Sequence, residues 1–145
     1  MSETSQRYFR VFEHTADLGL EIFGADPQAL FVNAGRALYE VLVPLEGQPP
    51  ENRRRQRIEA QGEDWADLMV NWLRELLYLF NGDQQVVIAI DLESLAENAL
   101  QATVTTTDFD PDQYRVEFEI KAVTYHQVIV APYEDGWRAR VIFDV

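Results

Sequence analysis

The stretch from residue 63 to 80 limits what this chain can fold into more than any other. Trp65, Leu68, Met69, Trp72, Leu73, Leu76, Leu77 and Phe80 return at steps of three and four, the period of an α-helix. Their apolar face is wider than a surface helix needs, so the spacing predicts a helix packed against a sheet. Asn81-Gly82-Asp83 supplies turn chemistry to end it. A second helix is expected after Gly24-Ala25-Asp26-Pro27. There Asp26 can cap free amides and Pro27 suits the first helical position. Leu30, Phe31, Ala34, Leu38, Val41 and Leu42 keep helical spacing until Pro44 stops the pattern. Residues 44–52, rich in Pro, Gly and Glu, read as an exposed loop.

The rest of the chain reads as strands. Residues 8–13 and 18–23 have strand composition, and His14-Thr15-Ala16-Asp17 between them is short enough only for a connection or bulge. Further strands are expected near 54–60, 85–92, 98–107, 114–121, 126–131 and 137–143. The segments 108–112 and 134–136 read as turns. This order predicts an α+β fold, with two helices on one side of a mixed, mainly antiparallel sheet. No repeat or linker divides the chain, so residues 1–145 are expected to form a single domain.

Charge narrows the function. The chain has 25 acidic and 12 basic residues, a net charge of −13. Such a surface repels a phosphate backbone, so direct RNA binding is not expected; a cationic protein or a metal ion is the better partner. Of the basic residues only Lys121 is a lysine. The run Arg53-Arg54-Arg55-Gln56-Arg57 reads as the solvated start of a strand, where charge also discourages edge-to-edge pairing. Absent cysteine excludes a disulfide scaffold, a thiolate zinc site and a cysteine nucleophile. No apolar stretch is long enough to span a bilayer, and none follows the first residues as a secretory signal would, so the cytoplasm is the default location.

Three groups of residues are candidate sites. In Glu13-His14-Thr15-Ala16-Asp17, Asp17 offers an oxygen ligand and His14 a proton or a nitrogen ligand, or His14 merely bonds a turn. At the end of the sequence, Asp144 and the carboxylate of Val145 would sit side by side and repel unless a cation neutralised them. All-oxygen ligands suit Ca²⁺ or Mg²⁺ rather than zinc or copper, and the plain alternative is a frayed tail. The third group, Lys121-Ala122-Val123-Thr124-Tyr125-His126, joins the lone lysine to one of two histidines where two strands meet; an ordinary hairpin would look the same. No nucleophile or substrate pocket is legible around His126 and Lys121. The glycines form neither a dinucleotide fingerprint nor a phosphate-binding loop. Asp108, Asp110 and Asp112 have the spacing of an EF-hand opening, but Gln113 stands where the loop requires Gly and no helices flank it.

Phe12-Glu13-His14-Thr15-Ala16-Asp17 resembles the opening motif of the archease family. The resemblance continues through Asn71-Trp72-Leu73-Arg74-Glu75-Leu76-Leu77-Tyr78-Leu79-Phe80 and Lys121-Ala122-Val123-Thr124-Tyr125-His126, and closes with residues 136–145. These blocks stand in the family's order and cover the chain nearly end to end. The resemblance implies a small acidic partner of an RtcB-type RNA ligase, the enzyme that joins tRNA halves in splicing. Archeases promote guanylylation of that ligase and its repeated turnover without being ligases themselves. Carried across, the family's metal ligands become Asp17, Asp144 and the main-chain or terminal oxygens of Val145. Ca²⁺ is the first candidate, with Mg²⁺ or Mn²⁺ as alternatives. The family's activating lysine falls on Lys121, with His14 and His126 as supporting residues. The family pattern often carries a His shortly before the lysine block, where this chain has Tyr114, and a phenol is a poor cation ligand at neutral pH. RNA repair is the alternative setting for the ligase. The competing functions are a general chaperone or modulator of RNA-modifying enzymes and a stand-alone metal-dependent hydrolase. The sequence leaves the oligomeric state open.

Overall fold

The computed structural model describes residues 8–14, 17–44 and 52–145, apart from the side chains of Glu13 and His14. In chain order the elements are β1 (Phe9–His14), β2 (Asp17–Gly24), α1 (Pro27–Leu42), β3 (Arg54–Gln61), α2 (Trp65–Asp83), β4 (Gln85–Ala96), β5 (Ala99–Asp108), β6 (Ala122–Val123), β7 (Ile129–Tyr133) and β8 (Gly136–Asp144). Residues 15–16 and most of the expected loop at 44–52 lie outside the described residues.

The class is α+β, as expected, and all described strand pairs are antiparallel. The strands divide, however, into two sheets rather than one. The larger runs β1-β2-β8-β6 with β7 also on β8, and the smaller runs β3-β5-β4. Each helix packs against both: α1 touches β2, β8 and β4, while α2 touches β3, β4, β6 and β7. The width of the apolar faces is the reason. On α1, Ala37 and Tyr39, on nearly opposite sides of the axis, are both buried, more than one sheet can cover.

The helix starts obey local chemistry. Asp26 accepts a hydrogen bond from the Ala29 amide at 2.8 Å, and Asp64 does the same for Asp67. Helix α2 runs through Asn81-Gly82-Asp83 and stops at Gln84, whose amide still donates to the Phe80 carbonyl while its left-handed backbone (φ 54°) turns the chain out of the helix. The helices are also bonded to each other. The Trp72 indole donates to the Phe31 carbonyl at 2.9 Å, and the Tyr39 hydroxyl to the Leu76 carbonyl at 2.6 Å. Burial pushes the Tyr39 phenol well above its ordinary pKa.

The strand expected at 114–121 does not form. This segment crosses the helix ends, and its backbone is satisfied there: the Glu117 amide donates to the Leu42 carbonyl and Asn81 to the Ile120 carbonyl. Ile120 is buried and Phe118 exposed, so two residues that a strand would put on one face are here an anchor and a surface residue. The strand expected from 126 begins at Ile129, because 126–127 form a turn with Gln127 left-handed (φ 53°). The arginine run lies at the start of β3, an exposed sheet edge, with Arg54 on Asp108 and Arg57 on Glu59 and Glu93.

Candidate functional site

Strand β8 carries the site. It lies between β2 and β6, antiparallel to both, with Leu18 opposite Phe143 on one side and Val123 opposite Phe143 on the other. Phe143, Leu18 and Val123 are buried. The next residues outward face the opposite side of the sheet. One step beyond Leu18–Phe143 stand Asp17 and Asp144, and Asp144 in turn pairs with Ala122. Two carboxylates as cross-strand neighbours on one face are about 5 Å apart at Cβ and repel when neither is neutralised.

Lys121 lies at the same end. Its amide donates to the Asp144 carbonyl at 2.7 Å, which sets it beside Val145. Val145 itself packs partly buried against the core rather than fraying away from it. Lys121 and Asp144 are exposed. Four of the six sequence-derived site residues thus stand at one end of the sheet, Asp17 and Asp144 through strand register, Lys121 through its amide bond to Asp144, and Val145 as the next residue of the chain. His14 pairs with Asp17 across the β1–β2 hairpin, and its side chain is outside the described set. His126 sits in the exposed turn before β7, its amide bonded to the Thr124 hydroxyl. Tyr114 is buried at 8% exposure and stacks on Phe109, so it belongs to the core.

Among the described residues no group of three His, Cys, Asp or Glu side chains gathers to hold a metal. A cation at Asp17 and Asp144 would need further ligands, and Val145 brings its main-chain or terminal oxygens to the same end. Oxygen ligands of this kind fit a hard divalent ion.

Helix α2 supplies further residues that carried no expected role. The Asn81 amide group donates to the Ile120 carbonyl at 3.0 Å. The Arg74 guanidinium donates to the Val123 carbonyl at 3.3 and 3.4 Å and lies 4.7 Å from the centre of the Tyr125 ring. The Tyr125 hydroxyl donates to Asp67 at 2.7 Å. That bond holds the Asp67 carboxyl below its usual range and the Tyr125 phenol above its own. On the other side Thr124 bonds the Ile142 carbonyl of β8 through both its amide and its hydroxyl. The only sequence signal for these residues is polar side chains at steps of seven beside the apolar face of α2.

Residues 9–145 match the Archease protein family (MTH1598/TM1083). Protein archease of Methanosarcina mazei is 32% identical over 141 residues, covering 94% of this chain and 95% of its own. Protein archease of Pyrococcus furiosus is 31% identical over 146 residues, covering 96% and 99%. The solution structure of Methanobacterium thermoautotrophicum protein 1598 superposes with a TM-score of 0.68 at 29% identity, over 95% of this chain and 99% of that one.

Proposed function

The chain belongs to the archease family, and on that premise we propose that it is a non-catalytic, metal-binding protein cofactor that promotes guanylylation and multiple turnover of an RtcB-type RNA ligase. The observation that carries this reading is the end of β8. Its last strand residue, Asp144, lies between Asp17 on β2 and Lys121 beside β6, so two acidic residues and the chain's lone lysine stand at one end of the sheet. Asp17, Asp144 and the main-chain or terminal oxygens of Val145 would hold the cation. When bound, it supplies fixed positive charge that lets these anions remain close.

Lys121 does the work toward the partner. A compact ammonium on a flexible stem can meet a phosphate or a carboxylate end-on, which a planar guanidinium does less well. Its amide is fixed by Asp144, so the stem starts from a defined place while the head group reaches outward. The net charge of −13 favours a basic partner surface over naked RNA. The experiment is multiple-turnover ligation of RNA halves by an RtcB-type ligase with GTP and a divalent metal. Wild type should raise turnover. Lys121→Ala should lose most of that stimulation and Lys121→Arg a part of it, with thermal stability unchanged in both. Full stimulation by Lys121→Ala would leave the lysine as a surface cation without a role.

A further inference from the structure

Asp67, Arg74 and Asn81 are spaced seven residues apart on α2. Seven residues are close to two helical turns, so the three side chains stand in one row about 10.5 Å apart. Their bonds follow the row in reverse chain order: Asn81 to Ile120, Arg74 to Val123, Asp67 to Tyr125. The segment 120–125 is therefore laid antiparallel along the helix and fastened at three points. Between the first two fastenings lie Lys121 and Ala122, both exposed, while Ile120 and Val123 on either side are buried.

We propose that this row of Asp67, Arg74 and Asn81 is a positioning seam that fixes where the Lys121 ammonium is presented. The inference rests on the functional reading of Lys121 given above and adds the residues that aim it. Without the seam, a two-residue strand would have to hold the segment almost alone. β6 comprises only Ala122 and Val123, a pairing far shorter than a stable strand requires. Thr124 fastens the far side to β8, but it acts beyond Val123 and leaves the run from Ile120 to Lys121 to Asn81 and to the Asp144 carbonyl. Arg74 is the central element. It joins a backbone carbonyl, a ring face and, at 3.4 Å, the Tyr125 hydroxyl, a combination of fork and flat surface that lysine does not offer. These are positioning residues: they touch the segment and not the ligase.

The lone lysine makes the test direct. Reductive ¹³C-dimethylation of the full-length protein labels Lys121 and the chain's first amine, and NMR then reads the lysine environment without any ligase. Arg74→Met, which keeps the stem and removes the donors, and Tyr125→Phe, which removes only one exposed hydroxyl, are compared with wild type. Both should shift or broaden the Lys121 resonance. Arg74→Lys should restore less than half of the change. In the ligation assay Arg74→Met should reduce stimulation about tenfold or more, the usual loss when a residue that orients a functional group is removed. Thermal melting should fall by much less than for a core variant. If Arg74→Met does not fold, Tyr125→Phe alone decides. An unchanged Lys121 resonance in the folded variants overturns the seam, whatever the ligase does. A shifted resonance with wild-type stimulation also overturns it as a positioning device. If wild type itself fails to stimulate the ligase, the functional reading falls, and the seam then stands or falls on the resonance.

Discussion

Leu76 faces the centre of the molecule from the middle of α2 and is fully buried. A carboxylate there would have no partner and no water. Leu76→Asp should therefore cost about 3–5 kcal/mol, the scale of an uncompensated buried charge, read as a large fall in the melting temperature. Gly136 makes a different kind of demand. A Cβ added there would lie 2.4 Å from the Gly24 carbonyl oxygen, and that neighbour is backbone in the adjacent strand, so it cannot swing aside. Gly136→Ala should lower stability by about 1–3 kcal/mol, and chemical denaturation would measure it. Gly35 also lacks room, but the atoms in the way are the ends of the Ile90 and Leu76 side chains, which can yield.

At the scale of elements, the bond between Asp67 and Tyr125 ties the segment 120–125 to α2 and leaves a pH signature. The Asp67 carboxyl is held low, chiefly by the Tyr125 hydroxyl and then by the Glu63 amide, so its contribution is present above the ordinary carboxylate pKa and fades as pH falls through the lowered value. The Tyr125 phenol is held high, chiefly by Asp67, so its contribution is complete below the ordinary phenol pKa and fades as pH rises through the raised value. The difference in melting temperature between wild type and Tyr125→Phe should thus be greatest across neutral pH and shrink at both ends. It should also be small, since both groups are exposed. A difference that grows toward acid would contradict the assignment. The same segment shows where sequence reading runs out. Both helices, the Asp26 cap and most of the strands were legible from period and turn chemistry. At 114–121 the alternation of Val116, Phe118 and Ile120 mimics a strand, yet the hydrogen-bond partners are helix ends supplied by Leu42 and Asn81. Alternation there reports neither burial, since Phe118 is exposed, nor what the backbone bonds to; both are decided by tertiary structure. The division into two sheets was hidden for a related reason, because the pattern on a helix shows how wide its apolar face is but not how many sheets share it.

The whole molecule shows why four distant residues could be nominated from sequence while their supports could not. Asp17, Lys121, Asp144 and Val145 stand in motif blocks, and strand register together with the Lys121 amide bond to Asp144 then carries them to one end of the sheet. Asp67, Arg74 and Asn81 look like ordinary polar helix residues until the loop lies against them. Register also yields the last prediction. Asp17 and Asp144 stand one step beyond the Leu18–Phe143 pair in a protein of net charge −13, a place where a divalent cation would be favoured. A cation that binds only the folded chain stabilises it by mass action, about 2.7 kcal/mol at a hundred times its dissociation constant. Titration with Ca²⁺ should accordingly raise the melting temperature, with Mg²⁺ and Mn²⁺ run alongside to rank the ions. Asp17→Ala should abolish the rise and leave the metal-free protein folded. Asp144→Asn should behave the same way. Extending the chain past Val145 by a few uncharged residues should weaken the response, since the terminal carboxylate becomes an amide that keeps only a carbonyl oxygen. Isothermal titration of the same proteins separates bound cation from a general response to salt. Equal responses in wild type, Asp17→Ala and the extended chain would mean that the cation acts elsewhere on the acidic surface, and that the carboxylate pair at the end of β8 is not its site.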